Sequence, residues 1–123
     1  MHTFLLSIGS NTYAKRNIEK AKKALQVLFP DIVFTPAVAS KPYGKKYKRP
    51  FLNVLAVFQS SPEPEKIIIA LKEIEKRMGR LPADKEKGRI VIDIDLIKKD
   101  NTVLRPKDFE PSYVQELLKY ITS

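Results

Sequence analysis

Ile90-Val91-Ile92-Asp93-Ile94-Asp95-Leu96-Ile97 is the stretch that decides the fold class. Its residues alternate, with Ile90, Ile92, Ile94 and Leu96 on one side and Val91, Asp93, Asp95 and Ile97 on the other, the period of a β-strand with one apolar face. Ahead of it, Ile67, Leu71, Ile74 and Met78 recur at helical spacing as far as Gly79. The run Ser60-Ser61-Pro62-Glu63-Pro64-Glu65 supplies candidate caps, first-turn prolines and acids suited to a helix N-terminus. Phe51 to Gln59 is rich in strand formers and predicts another strand. Before that, Ile32 to Ala39 reads as a strand broken by Pro36, which places it at a sheet edge or a bulge. Ile18, Ala21, Leu25 and Leu28 predict a helix from about Arg16 to Phe29, stopped by Pro30-Asp31. Phe4 to Ile8 is an apolar run closed by the turn residues Gly9-Ser10-Asn11.

The order is therefore strand, helix, strand, strand, helix, strand. That is the ferredoxin-like α+β arrangement, βαββαβ, with both helices on one face of an antiparallel sheet and the other face left free. Val114, Leu117, Leu118 and Ile121 add a C-terminal helix over about 111–121. A chain of 123 residues with 43% hydrophobic residues, no repeat and no low-complexity linker is expected to be a single domain, 1–123.

Absence of cysteine excludes disulfide scaffolds, Cys-ligated zinc, iron–sulfur clusters and thiol nucleophiles. The start has no basic leader segment and no apolar run near the ~18 residues of a membrane span, so the expectation is a soluble, cytoplasmic protein with no membrane partner. The sole histidine, His2, sits at the terminus and receives no role. The net charge of +9 is uneven: residues 41–60 hold five basic and no acidic side chains. The run Lys41-Pro-Tyr-Gly-Lys-Lys-Tyr-Lys-Arg49 reads either as a solvated loop or as a patch for a polyanion, whether nucleic acid or nucleotide triphosphate.

Asp93 and Asp95 carry the sharpest chemistry. Aspartate is depleted in strands, and at i and i+2 two carboxylates leave the same face with Cα atoms roughly 6.5 Å apart. Like charges so placed need a cation. Either Lys or Arg from neighbouring strands supplies it, or the pair holds one or two Mg²⁺ ions that also bind phosphate oxygens.

Five motifs in order sharpen the choice: Gly9-Ser10-Asn11 after a strand, Pro42-Tyr43-Gly44, Phe51-Leu52-Asn53, Ile74-Glu75 leading to Gly79-Arg80, and Asp93-Ile94-Asp95. The intervals are 9 residues from Gly44 to Asn53, 22 from Asn53 to Glu75 and 18 from Glu75 to Asp93. Taken together they resemble the 6-hydroxymethyl-7,8-dihydropterin pyrophosphokinases of folate biosynthesis, over about residues 4–97. The resemblance implies a transferase that moves pyrophosphate from ATP to the pterin hydroxymethyl group and releases AMP. It implies Asp93 and Asp95 as catalytic residues and ligands of two Mg²⁺ ions. Ser40, Pro42, Tyr43, Phe51 and Asn53 would line the pterin pocket, with Phe51 stacking on the ring, although core packing is the alternative for Phe51. Glu75, Arg80, Lys87 and Arg89 would serve the nucleotide, with a helix-surface ion pair as the alternative for Glu75 and Arg80. Gly9-Ser10-Asn11 would be architectural.

The chain departs from the family pattern in three places. A Trp-Gly-Pro-Arg usually precedes the aspartates; here Gly88 is in place, Ile90 holds the arginine position, and Arg89 comes one residue early, where a loop shift would restore it to catalytic duty. Residues 105–123 lack the histidine and the Arg-x-Phe segment of the family. The C-terminus is also shorter than that of a usual member, so the resemblance is to a C-terminally shortened relative. Two further readings stay open: a catalytically weak or inactive relative that binds nucleotide or pterin, and a basic ferredoxin-like nucleic-acid module. Against the second, Asp93 and Asp95 would put carboxylates on the face meant for nucleic-acid phosphates.

Overall fold

The structure, a computed structural model, describes residues 1–41 and 49–121. In chain order the elements are β1 (His2–Ser10), α1 (Ala14–Leu28), β2 (Val33–Phe34), β3 (Val38–Ser40), β4 (Phe51–Ser60), α2 (Pro64–Arg77), α3 (Pro82–Glu86), β5 (Asp93–Lys99), β6 (Thr102–Val103), α4 (Pro106–Phe109) and α5 (Ser112–Leu118). Among the described residues the strands form one antiparallel sheet in the order β2-β4-β1-β5-β6, with β3 also paired to β4. This is an α+β fold with a ferredoxin-like core. Among the same residues no helix is long and apolar enough to cross a membrane.

Both long helices cover one face because β1, β4 and β5 send alternate apolar residues there. Phe4, Leu6 and Ile8 of β1, Val54, Ala56 and Phe58 of β4, and Ile94 and Leu96 of β5 meet Ile18, Ala21 and Leu25 of α1 and Ile67, Leu71 and Ile74 of α2. Each of these side chains larger than alanine, taken fully out of water, contributes about 1.5–3 kcal/mol before conformational costs. Phe58 lies between Phe29 and Phe4, with ring centroids 3.9 and 5.5 Å away.

Several expectations are corrected. The Ile32–Ala39 strand is two short strands on the sheet edge, and the pairing slips by one residue across the Pro36 break: Phe34 faces Ala56, whereas Val38 faces Asn53. Thr35 fills the break, its N–H donating to the Leu55 carbonyl at 2.9 Å and its hydroxyl accepting the Leu55 N–H at 2.9 Å. Helix α2 has Pro64 at its first position, but no side chain caps it and the residue before it is Glu63, not a serine. The strand expected over 90–97 begins only at Asp93. Ile90 and Ile92 are buried but do not join the ladder, because Asn11 takes the backbone of Ile90: its N–H donates to the Ile90 carbonyl at 3.0 Å and its Oδ1 accepts the Ile90 N–H at 2.7 Å. His2 is no frayed end; it begins β1 opposite Ser60, and its Nδ1 lies 2.7 Å from Asp100 Oδ2.

The second face is not wholly free. Leu5, Leu55 and Ile97 form a smaller core with Val114 and Leu117 of α5. The C-terminal helix thus covers one end of that face and leaves the other end to Ser7, Gly9, Phe51, Asn53, Asp93 and Asp95.

Candidate active site

Register puts the site together. Gly9 of β1 faces Asn53 of β4 on one side and Asp93 of β5 on the other, and Ser7 faces Leu55 and Asp95. Odd-numbered residues of all three strands therefore share the face away from the long helices. They line a cavity of about 170 Å³ that Ser40, Asp108 and Tyr113 complete. A dry engineered cavity of about 150 Å³ admits benzene, so this one has room for a small ring system. Gly9 is the floor. A Cβ added there would sit 3.5 Å from Asn53 Oδ1 and 3.8 Å from Phe51 Cδ1, ordinary contact distances, but further atoms would fill the space above.

Asn53 is buried, and its Nδ2 donates to the Val38 carbonyl at 3.1 Å and to Ser40 Oγ at 2.8 Å. Both donors of the amide are spent on β3, which fixes its orientation. Oδ1 remains beside Gly9, with no donor meeting it among the described residues. Phe51 lines the cavity half-buried and stands outside both apolar cores.

Asp93 and Asp95 share a hydrogen bond, and their environments drive them apart. For Asp93, burial pushes the carboxyl upward, but the hydrogen bonds from Asp95 and Arg80 and the charges of Arg80 and Lys72 hold it below the usual range. For Asp95, burial, the charge of Asp93 and the shared hydrogen bond push it up to about 7, against the pull of Lys72 and Arg105. Arg80 Nη1 lies 2.8 Å from Asp93 Oδ1; Lys72 Nζ and Arg105 Nη1 stand 3.5 and 4.0 Å from Asp95 Oδ1. Basic side chains thus flank the pair, but they come from α2, the loop after it and the start of α4 rather than from neighbouring strands. No cluster of three or more acidic, histidine or cysteine side chains with metal-binding geometry occurs among the described residues. Two carboxylates alone suit Mg²⁺, which is usually held by one or two of them plus phosphate oxygens and water.

Glu75 is 3% exposed and works as a hub. Its Oε2 accepts the Ile94 N–H at 2.6 Å and lies 3.1 Å from Arg80 Nη1 and 3.3 Å from Lys72 Nζ. Arg80 also donates to the Ile92 carbonyl at 3.2 Å. The pair occupies backbone groups of β5 that no neighbouring strand meets, so α2 closes that sheet edge. Lys72, Lys76, Arg80 and Lys85 line a second cavity, about 340 Å³, together with Glu75, Leu81 and Pro82. Through Glu75, Arg80 and Asp93 it adjoins the first.

Among the described residues, two expected at the site, Arg89 and Lys87, are not brought in. Arg89 lines neither cavity: its guanidinium lies 4.0 Å from Asp84, and its N–H donates to the Asp84 carbonyl, both drawn to α3. Ile90, at the expected arginine position, is 5% exposed. Asn11 Nδ2 donates to the Gly88 carbonyl at 2.8 Å and holds this loop against β1. Lys87 is exposed at the end of α3. Pro42 and Tyr43 lie outside the described residues. Sequence reasoning missed Lys72, Arg105, Asp108, Tyr113 and Ser7. Lys72 had a signal, three residues before Glu75 on one helix face; the others depend on tertiary placement.

Comparison with known proteins bears on this arrangement. A family model described as 7,8-dihydro-6-hydroxymethylpterin-pyrophosphokinase matches residues 5–123. A 2-amino-4-hydroxy-6-hydroxymethyldihydropteridine pyrophosphokinase of Aquifex aeolicus (strain VF5) is 30% identical over 112 residues, covering 87% of this chain and 67% of that protein. Among solved structures, the hypothetical protein ORF119 of Sulfolobus islandicus rod-shaped virus 1 aligns at 12% identity and a TM-score of 0.44, covering 100% of this chain and 88% of that one; so distant a likeness decides nothing. The family match over nearly the whole length leads to one conclusion: the chain belongs to the 7,8-dihydro-6-hydroxymethylpterin-pyrophosphokinase family.

Proposed function

We propose that the protein transfers a pyrophosphoryl group from ATP to the hydroxymethyl oxygen of 6-hydroxymethyl-7,8-dihydropterin, with Mg²⁺, and releases AMP. The observation that carries this reading is the juxtaposition, on one face, of a ring-sized cavity built by Phe51, Asn53 and Gly9 with the Asp93–Asp95 pair, and of a lysine- and arginine-lined cavity beside it. The hydroxymethyl oxygen attacks the β-phosphorus, the bond from that phosphorus to the oxygen bridging the α-phosphorus breaks, and AMP leaves with that oxygen; the hydroxyl proton is lost to water.

Phe51 offers its ring face and Asn53 Oδ1 an acceptor to an N–H edge of the pterin, while Ser40 keeps the amide from turning. Lys72 and Arg80 neutralise the phosphate chain from the α2 side. Asp93 and Asp95 would hold Mg²⁺, which when bound supplies charge neutralisation of the phosphate oxygens. Positioning and charge do the work, as expected for phosphoryl transfer. The acidic pair on the open sheet face disfavours the nucleic-acid alternative.

Calorimetry with a non-hydrolysable ATP analogue and with 6-hydroxymethylpterin, each with and without Mg²⁺, tests the reading. Metal-dependent nucleotide binding together with pterin binding is expected; binding of neither by folded protein would sink it. A second expectation concerns the floor. Gly9→Val should melt close to the wild type, because its Cβ meets only ordinary contacts, yet weaken pterin binding roughly a hundredfold, about 3 kcal/mol. Nucleotide binding should persist. Unchanged pterin affinity would show that the ring binds elsewhere.

A further inference from the structure

We propose that Arg105 contacts the phosphate chain directly, beside the acidic pair, and that Asp108 aims it. This deepens the reading above and rests on it. The placement starts in the sheet. Leu6 faces Leu96 but Leu5 faces Lys98, so Ile97 is an extra residue in β5. Its carbonyl accepts the N–H of Leu104 at 2.9 Å and that of Arg105 at 3.4 Å, which pins the chain where it leaves β6. Pro106 then opens α4, and one turn on, Asp108 receives Arg105 Nε through Oδ2.

The guanidinium is thereby held by one edge. Its Nη1 stands 4.0 Å from Asp95 Oδ1, too far for a hydrogen bond, and Nη2 meets no acceptor among the described residues. The side chain is 54% exposed, and Asp108 itself lines the cavity with Asp93, Asp95 and Phe51. A half-exposed pair at that distance contributes little to folding. A bound cation would also take Asp95 from Arg105. What remains is an oriented fork of donors beside the acidic pair, the chemistry that recognises phosphate oxygens. Lys72 and Arg80 also stand 3.5 and 2.8 Å from Asp95 and Asp93, so an anion seated over the pair would meet positive charge from three side chains.

Steady-state kinetics of the full chain with ATP and 6-hydroxymethyl-7,8-dihydropterin, and calorimetry with the ATP analogue plus Mg²⁺, test this. Arg105→Ala should weaken analogue binding and lower kcat/KM for ATP roughly ten- to a hundredfold, with pterin affinity within about twofold of wild type and an unchanged melting temperature. Arg105→Lys should recover part of the loss, and Asp108→Asn should fall between wild type and Arg105→Ala. Wild-type nucleotide kinetics in Arg105→Ala, or an equal loss of pterin and nucleotide binding accompanied by lower thermal stability, would overturn the assignment while the active wild type upholds the function. A folded wild type that neither binds nor turns over would overturn both.

Discussion

Asp95→Asn is expected to remove turnover by about a thousandfold or more and to make the ligand-free fold more stable at neutral pH. The first effect follows from its place. Asp95 is one of the two carboxylates that would hold a cation at the site, and removing a preorganised charge from phosphoryl transfer costs several kcal/mol of transition-state stabilisation. The second follows from its surroundings: burial and the charge of Asp93 push the carboxyl from its ordinary 3.8 up to about 7. The folded state binds a proton that the unfolded chain releases. Stability from this group is therefore fully present below about pH 4 and is lost as pH rises through 7. Asparagine cannot ionise and escapes the loss, which is worth roughly 1–3 kcal/mol after allowance for solvent reaching the cavity. Thermal melts from pH 4 to pH 8 should show the variant gaining on the wild type as pH rises, by a few degrees at the top of the range. Parallel curves would mean that Asp95 is not strained by Asp93.

Glu75→Ala is expected to give the largest loss of stability, about 3–4 kcal/mol. The change leaves the Ile94 N–H without its acceptor and takes from Arg80 one of its two carboxylate partners at a largely buried position. Glu75→Gln should cost less, about 1–2 kcal/mol, because an amide oxygen can still accept from Ile94. Urea unfolding of the three proteins measures the difference. If Ala and Gln variants lose the same small amount, the hub is a surface pair after all. Glu75 thus positions Lys72, Arg80 and β5.

Much of the fold was legible because hydrophobic period and topology agreed. The alternation of Ile90 to Ile97 assigned Asp93 and Asp95 to the face away from the long helices, and that assignment holds even though the first three residues are not strand. The error there is physical: Asn11, distant in sequence, replaces a strand partner for Ile90. Pro36 announced an edge or a bulge and produced both. The covered half of the second face was not legible, since the amphipathic pattern of α5 shows that it buries Val114 and Leu117 but not against what.

The site was read in part. Ser40, Phe51, Asn53, Asp93 and Asp95 line one cavity, and Glu75 and Arg80 adjoin it; these are residues to which the family resemblance assigns substrate contacts. Arg89 is drawn off by Asp84, which lies only five residues away but on a helix that no periodicity revealed. Arg105 was invisible for the converse reason. Nothing in its local sequence indicates that a bulge at Ile97 turns it back toward Asp95.

The most direct measurement is product analysis, by phosphorus NMR or chromatography, after incubation of the protein with ATP, Mg²⁺ and 6-hydroxymethyl-7,8-dihydropterin. The account predicts AMP and a pyrophosphorylated pterin in equal amounts, absent without metal and absent in Asp95→Asn. ADP in place of AMP, or unchanged ATP from folded protein that binds neither substrate, would contradict it.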